Sequence, residues 1–80
     1  MQVEIISPEE KIFQGEADVV TLPGKKGSFT ILNHHAPIIS LLTKGNIILK
    51  DNENEYSFSI EGGFIELSNN KVTICVETQK

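Results

Sequence analysis

The sequence predicts an all-β protein, with eight to ten short strands folded into an antiparallel sandwich or barrel. Three observations carry this. Apolar and polar residues alternate in short runs, most clearly where Tyr56, Phe58 and Ile60 interleave with Ser57, Ser59 and Glu61. Such a period of two is that of a strand with one buried face. Turn-forming clusters separate the runs at short, regular intervals. No segment sustains a helical period over the length a helix needs. The 80 residues form one domain, 1–80, with no linker, repeat or low-complexity run.

Val3 and Ile5 alternate with Gln2 and Glu4 in a first strand. Ser7-Pro8-Glu9-Glu10 could cap a helix, but only Lys11 and Ile12 follow before the pattern changes, so it reads as a turn. Ile12–Gln14 and Ala17–Leu22 are the next strands. Pro23-Gly24 marks a tight turn, because proline presets φ and glycine accepts positive φ. Phe29 and Ile31 alternate with Ser28 and Thr30 in the strand that follows. Ile38, Ile39, Leu41 and Leu42 make the most apolar block. It also suits a helix face, yet it is short and closed by Lys44-Gly45, which favours a strand buried on both sides. Asn46–Lys50 is a strand, and Asp51–Asn54 a polar hairpin loop. Gly62-Gly63 permits a bend or a close backbone approach. Ser68-Asn69-Asn70 joins Phe64–Leu67 to Lys71–Val76 as a hairpin. The expected core comprises Val3, Ile5, Val19, Ile31, Ile47, Leu49, Phe58, Ile60, Ile65, Val72 and Ile74.

Composition narrows the function. The net charge is −4 and the chain contains no arginine, so it lacks the clustered cations that nucleic acid requires. Cys75 stands alone, which excludes an internal disulfide and points to a reducing compartment. The N-terminus does not show a signal-peptide pattern, and no apolar run reaches the roughly 20 residues of a membrane span. Membrane work would therefore require another protein to hold this one there.

The unusual stretch is Thr21–Pro37, which carries both histidines and two of the three prolines and reads as a presentation surface. Adjacent residues on a strand face opposite ways, so His34 and His35 should not chelate one metal together, and no zinc-like spacing accompanies them. Cys75 alternates with apolar residues and reads as structural. The eleven acids are spread over turns and outward faces, with no paired acid and base. No catalytic residue, metal or cofactor is expected. Lys25 and Lys26 at a hairpin tip invite comparison with lipoyl and biotinyl carrier domains, but the methionines that flank a biotinyl lysine and the acid that precedes a lipoyl lysine are both absent. A free-standing sandwich binding carbohydrate or peptide is a further alternative; with no tryptophan and one tyrosine, the chain is poor in the aromatics it needs.

Three blocks bear a resemblance to a known family. Ile5-Ile6-Ser7-Pro8-Glu9-Glu10-Lys11-Ile12-Phe13-Gln14-Gly15, Gly27-Ser28-Phe29-Thr30-Ile31-Leu32-Asn33-His34-His35-Ala36-Pro37, and Gly62-Gly63-Phe64-Ile65-Glu66 with Asn70-Lys71-Val72-Thr73-Ile74 resemble, in order, the N-terminal domain of the epsilon subunit of bacterial F-type ATP synthase. The middle block departs from the family's G-x-x-G-I-x-P-G-H-A-P: Thr30 replaces the second glycine, and Asn33-His34 replace Pro-Gly. The resemblance implies a β-sandwich of about ten strands in two sheets. It also implies a non-catalytic rotor subunit, monomeric in isolation, at the cytoplasmic face of the bacterial inner membrane. Such a subunit couples proton flow to ATP synthesis by linking the gamma subunit to the polar loops of the c-ring, without inserting into the membrane. By position, Ser28 and its neighbour Phe29 match the turn toward the c-ring. His35, Ala36, Pro37 and Ser40 match the gamma-facing edge; the contact surface is expected to run on through Ile38 and Leu41, where part of the apolar block should be exposed. Longer family members continue into two C-terminal helices that can block rotation. A chain ending at Lys80 is expected to be a short form that couples the rotor without that inhibition.

Overall fold

The computed structural model describes residues 1–78; the expectation attached to the end of the chain at Lys80 lies outside them. Nine strands follow in order: β1 Gln2–Ile6, β2 Lys11–Glu16, β3 Val19–Gly24, β4 Gly27–Leu32, β5 Ile38–Leu42, β6 Gly45–Lys50, β7 Glu55–Ile60, β8 Gly62–Ser68 and β9 Lys71–Glu77. No helix is found among the described residues. One half of the fold runs β2-β1-β9-β8-β5 and the other β4-β3-β6-β7. A single residue pair, Gly24 with Leu42, joins them, so the two layers are one continuous sheet folded over on itself. The pairing is antiparallel except between the first and last strands, β1 and β9, which run parallel from Gln2 opposite Lys71 to Ile6 opposite Cys75. A parallel pair needs a long crossover, and the whole intervening chain supplies it.

The side chains that close the core come from both layers. Val3, Ile5, Ile65, Val72 and Ile74 from one meet Val20, Leu22, Ile31, Ile47, Leu49 and Ile60 from the other, all nearly or fully buried. Two expected core residues are only half-buried. Val19 shares a strand with Val20 and Leu22 but has the opposite parity, so it faces outward once those two face in. Phe58 lies on β7, the last strand of its layer, where nothing covers its flank. It packs instead against Phe13 of β2, the last strand of the other layer, with ring centroids 5.6 Å apart; Tyr56 lies 5.3 Å from the same ring. The two tilted aromatic contacts close the sandwich where no hydrogen-bond ladder does.

The turns divide into expected and displaced. Ser7–Glu10 is a turn: the Ser7 hydroxyl accepts the Glu10 N–H at 3.2 Å, and the Ser7 N–H donates to the Glu10 carbonyl at 2.9 Å. Asn69 and Asn70 take φ of 52° and 59°, the left-handed pair that a two-residue hairpin between twisted strands requires. The Pro23-Gly24 turn is not found; both residues belong to β3, and the chain reverses at Lys25-Lys26. Gly27 rather than Gly24 takes positive φ, +125°, which moves the reversal two residues along.

At the β6–β7 hairpin, the Asp51 carboxylate accepts the N–H of Glu53 at 2.8 Å and of Asn54 at 2.7 Å. Those bonds, Glu53 first, hold the carboxyl below its usual range. A depressed folded-state pKa contributes stability that is present above the unfolded value, about 3.9, and is lost as pH falls through the folded one. The stability advantage of the wild type over Asp51→Asn should therefore be constant near neutrality and shrink below about pH 4. Urea titrations of both proteins from pH 7 to pH 3 check this; a gap that widens on acidification would contradict it.

Candidate functional surface

Among the described residues no polar or charged side chain is buried, and no three His, Cys, Asp or Glu side chains gather where they could hold a metal ion. The surface is the informative part.

Strand β5 organises it. The expectation of a strand buried on both sides is corrected: Leu42 is buried and Ile38 half-buried, while Ile39 and Leu41 are 74% and 59% exposed. The strand has a layer beneath one face only, so alternate residues stand outward. Register then assembles a row that crosses four strands. Leu41 lies opposite Phe64, Phe64 opposite Cys75, and Cys75 opposite Ile6. At the usual strand spacing this row spans about 14 Å. Phe64 is 45% exposed, and a shallow groove beside it is lined by Ile6, Pro8 and Cys75. The next row, Ile39–Glu66–Thr73–Glu4, is apolar at its first member only. The outer face of this layer is thus an apolar ridge with a polar flank, the anatomy of a docking surface.

Phe64 was missed in the sequence. Its signal was present: Glu66 and Ser68 mark the outward parity of β8, so Phe64 is an apolar residue on a polar face.

The predicted partner residues do not form one site. Ser28 and Phe29 begin β4 at one end of the molecule; Ser28 is exposed, but Phe29 is half-buried and packs against the core. His35, Ala36 and Pro37 are exposed at the opposite end of that strand. Ile38, Ser40 and Leu41 lie along β5 between the two ends, the first two half-buried.

The altered loop is well tied. His34 adopts φ +64°, which glycine accepts more easily, and its N–H donates to Asn70 Oδ1 at 2.8 Å. Asn33 accepts from the Met1 ammonium and donates to Asp18 Oδ1 at 3.3 Å. The Met1 ammonium also donates to the Ala17 carbonyl at 2.9 Å. Asn33 thus ties this loop to the first residue and His34 ties it to the β8–β9 turn. His35 Nδ1 donates to the Ala36 carbonyl at 2.7 Å, which turns the ring back on its own loop.

The pattern of the family described as ATP synthase, Delta/Epsilon chain, beta-sandwich domain matches residues 1–80. The chain belongs to this family. Among its relatives, the ATP synthase epsilon chain of Leptospira borgpetersenii serovar Hardjo-bovis is 39% identical over 77 residues, covering 96% of this chain and 61% of that one. The epsilon chain of Maridesulfovibrio salexigens is 40% identical over 75 residues, covering 94% and 53%. That of Caulobacter vibrioides is 35% identical over 77 residues, covering 96% and 90%. The chain therefore spans between about half and three-fifths of the first two and nearly all of the third. Among solved structures, a chain of the Tetrahymena thermophila mitochondrial ATP synthase central stalk and c-ring superposes with a TM-score of 0.80 at 17% identity, covering 95% of this chain and 62% of that one. A chain of the Euglena gracilis mitochondrial ATP synthase superposes with a TM-score of 0.85 at 19% identity, covering 92% and 48%. At these identities the superpositions establish a shared fold. The expected family and all-β sandwich class hold.

Proposed function

We propose that this delta/epsilon domain is a non-catalytic element of the central stalk of a proton-translocating F-type ATP synthase, at the cytoplasmic face of the bacterial membrane. In this reading it is a monomer when isolated. It grips the gamma subunit through the outer face of β5, β8, β9 and β1, and meets the polar loops of the c-ring at the end bearing Ser28. It thereby helps couple proton flow to ATP synthesis. Family membership supports the subunit assignment, and the outward row Leu41–Phe64–Cys75–Ile6, exposed at its first two members and half-buried at the others, is the observation that carries the gamma contact. A lasting rotor joint has to bury at least roughly 1,200 Å² and be relatively apolar, and this row with Ile39 holds three of the exposed large apolar side chains, Ile39, Leu41 and Phe64.

The test is direct. The full chain, immobilised, is presented with the gamma subunit and with detergent-solubilised c-ring from its own host. Saturable binding to both is expected. Absence of binding to gamma and c-ring alike would remove the chain from the stalk.

A further inference from the structure

Charge is unevenly distributed along this chain. Residues 19 to 50 include Lys25, Lys26, Lys44 and Lys50 and no aspartate or glutamate; all eleven acids lie before or after that stretch. Folding concentrates the asymmetry. Gly24 pairs with Leu42, the Lys25 N–H donates to the Leu41 carbonyl at 3.3 Å, and the Thr43 N–H donates to the Pro23 carbonyl at 2.8 Å. The Lys25–Lys26 turn and the Thr43-Lys44 connection therefore lie side by side at one end of the molecule.

Two other lysines are answered, Lys50 by Glu55 at 3.4 Å and Lys11 by Glu4 at 3.0 Å, while Lys71 stands exposed at the start of β9. Lys25, Lys26 and Lys44 are exposed, and none of the three forms an ion pair among the described residues. The topology brings one acid near: Glu61, which follows Ile60, the partner of Gly45. A molecule of net charge −4 thus keeps three unanswered cations together. A groove lined by Lys25, Lys26, Phe29, Ile39 and Leu41 leads from them onto the apolar ridge.

We infer that this basic end docks a protein loop that presents carboxylates beside apolar side chains. The inference rests on the stalk reading, in which the loop belongs to the c-ring, and adds the chemistry that loop must carry. The net charge of −4 argues against an anionic bilayer as the occupant, because the rest of the surface is repelled by it. The apolar wall of the groove argues for a protein segment, which supplies apolar and acidic groups together.

The experiment measures binding of the full chain to detergent-solubilised c-ring from the same host at about 0.05 M and 0.5 M salt, where exposed charges are felt and then screened. Three proteins are compared: the wild type, K25Q/K26Q/K44Q, and K25R/K26R/K44R. The glutamine variant should bind about tenfold more weakly at low salt, with the difference collapsing at high salt, and the arginine variant should bind as the wild type does. Amide substitution of the c-ring loop carboxylates should reproduce the glutamine result. Equal affinity of wild type and glutamine variant at both salts overturns the inference and leaves the stalk reading intact. Failure of the wild type to bind c-ring and gamma removes that reading and the inference with it. Lysine-dependent sedimentation with phosphatidylglycerol vesicles, without a c-ring difference, would give this end to a lipid headgroup and overturn the protein assignment.

Discussion

Gly63→Ala should destabilise the sandwich by at least about 3 kcal/mol, the joint cost of backbone strain and overpacking at one residue. Gly63 adopts φ +148°, a region side-chain-bearing residues rarely enter. A Cβ there would press into the Cys75 carbonyl oxygen and stand 3.0 Å from the Val76 Cα. Neither neighbour can yield, because both are backbone of β9, hydrogen-bonded between β8 and β1. Gly63 itself is paired on both sides, opposite Leu42 of β5 and Val76 of β9. Any shift that makes room disturbs two ladders, one of which leads directly to the Gly24–Leu42 junction between the layers. For a domain of this size, whose whole stability is of order 5 kcal/mol, the change approaches global unfolding. Gly62→Ala is the control. Its Cβ meets only the Leu42 carbonyl oxygen at 3.6 Å, an ordinary contact, and φ is not positive. The gap between the two variants in urea unfolding is the measurement, and a Gly63→Ala loss below about 1 kcal/mol would show that the strand relaxes more freely than its pairing implies.

Leu41→Asp should leave the fold intact and weaken binding to gamma by about a hundredfold or more. Leu41 is 59% exposed in the isolated chain, so a carboxylate there remains hydrated until the partner arrives. On docking it would be buried opposite Phe64, its apolar cross-strand neighbour, and a charge buried without a partner costs roughly 3–5 kcal/mol. Ile39→Asp should behave similarly but less severely, since its cross-strand neighbour is already Glu66 and the rim there is polar. Ser57→Asp, at an exposed position of β7 in the other layer, should have no effect. Calorimetry of each variant with gamma, alongside its thermal unfolding, separates lost binding from lost fold. Wild-type affinity in both β5 variants would place the gamma contact on another face.

Much of this molecule is legible before it folds. Alternation at Val72, Ile74 and Val76, or at Val3 and Ile5, identifies strands and their buried faces because the side-chain period of a strand is two. Asn69-Asn70 identifies its own turn, since few residues accept two successive positive φ values. The three family blocks identify the delta/epsilon sandwich. These properties are local, or are patterns along the chain.

Tertiary structure alone decided the rest. Periodicity says which residues share a face but not whether another layer covers it, so Val19 was assigned inward and β5 was expected to be buried on both sides. Pro23-Gly24 has the composition of a turn, yet the pairing of β3 with β4 extends through both residues and leaves the reversal to Lys25-Lys26. Nothing along the chain places β1 beside β9, or Leu41 in line with Phe64, Cys75 and Ile6. Those neighbours are 23, 11 and 69 positions apart in sequence. A docking row drawn from four strands exists only once non-local pairing has set their order and register, and that pairing minimises the free energy of the whole sheet rather than of any segment in it.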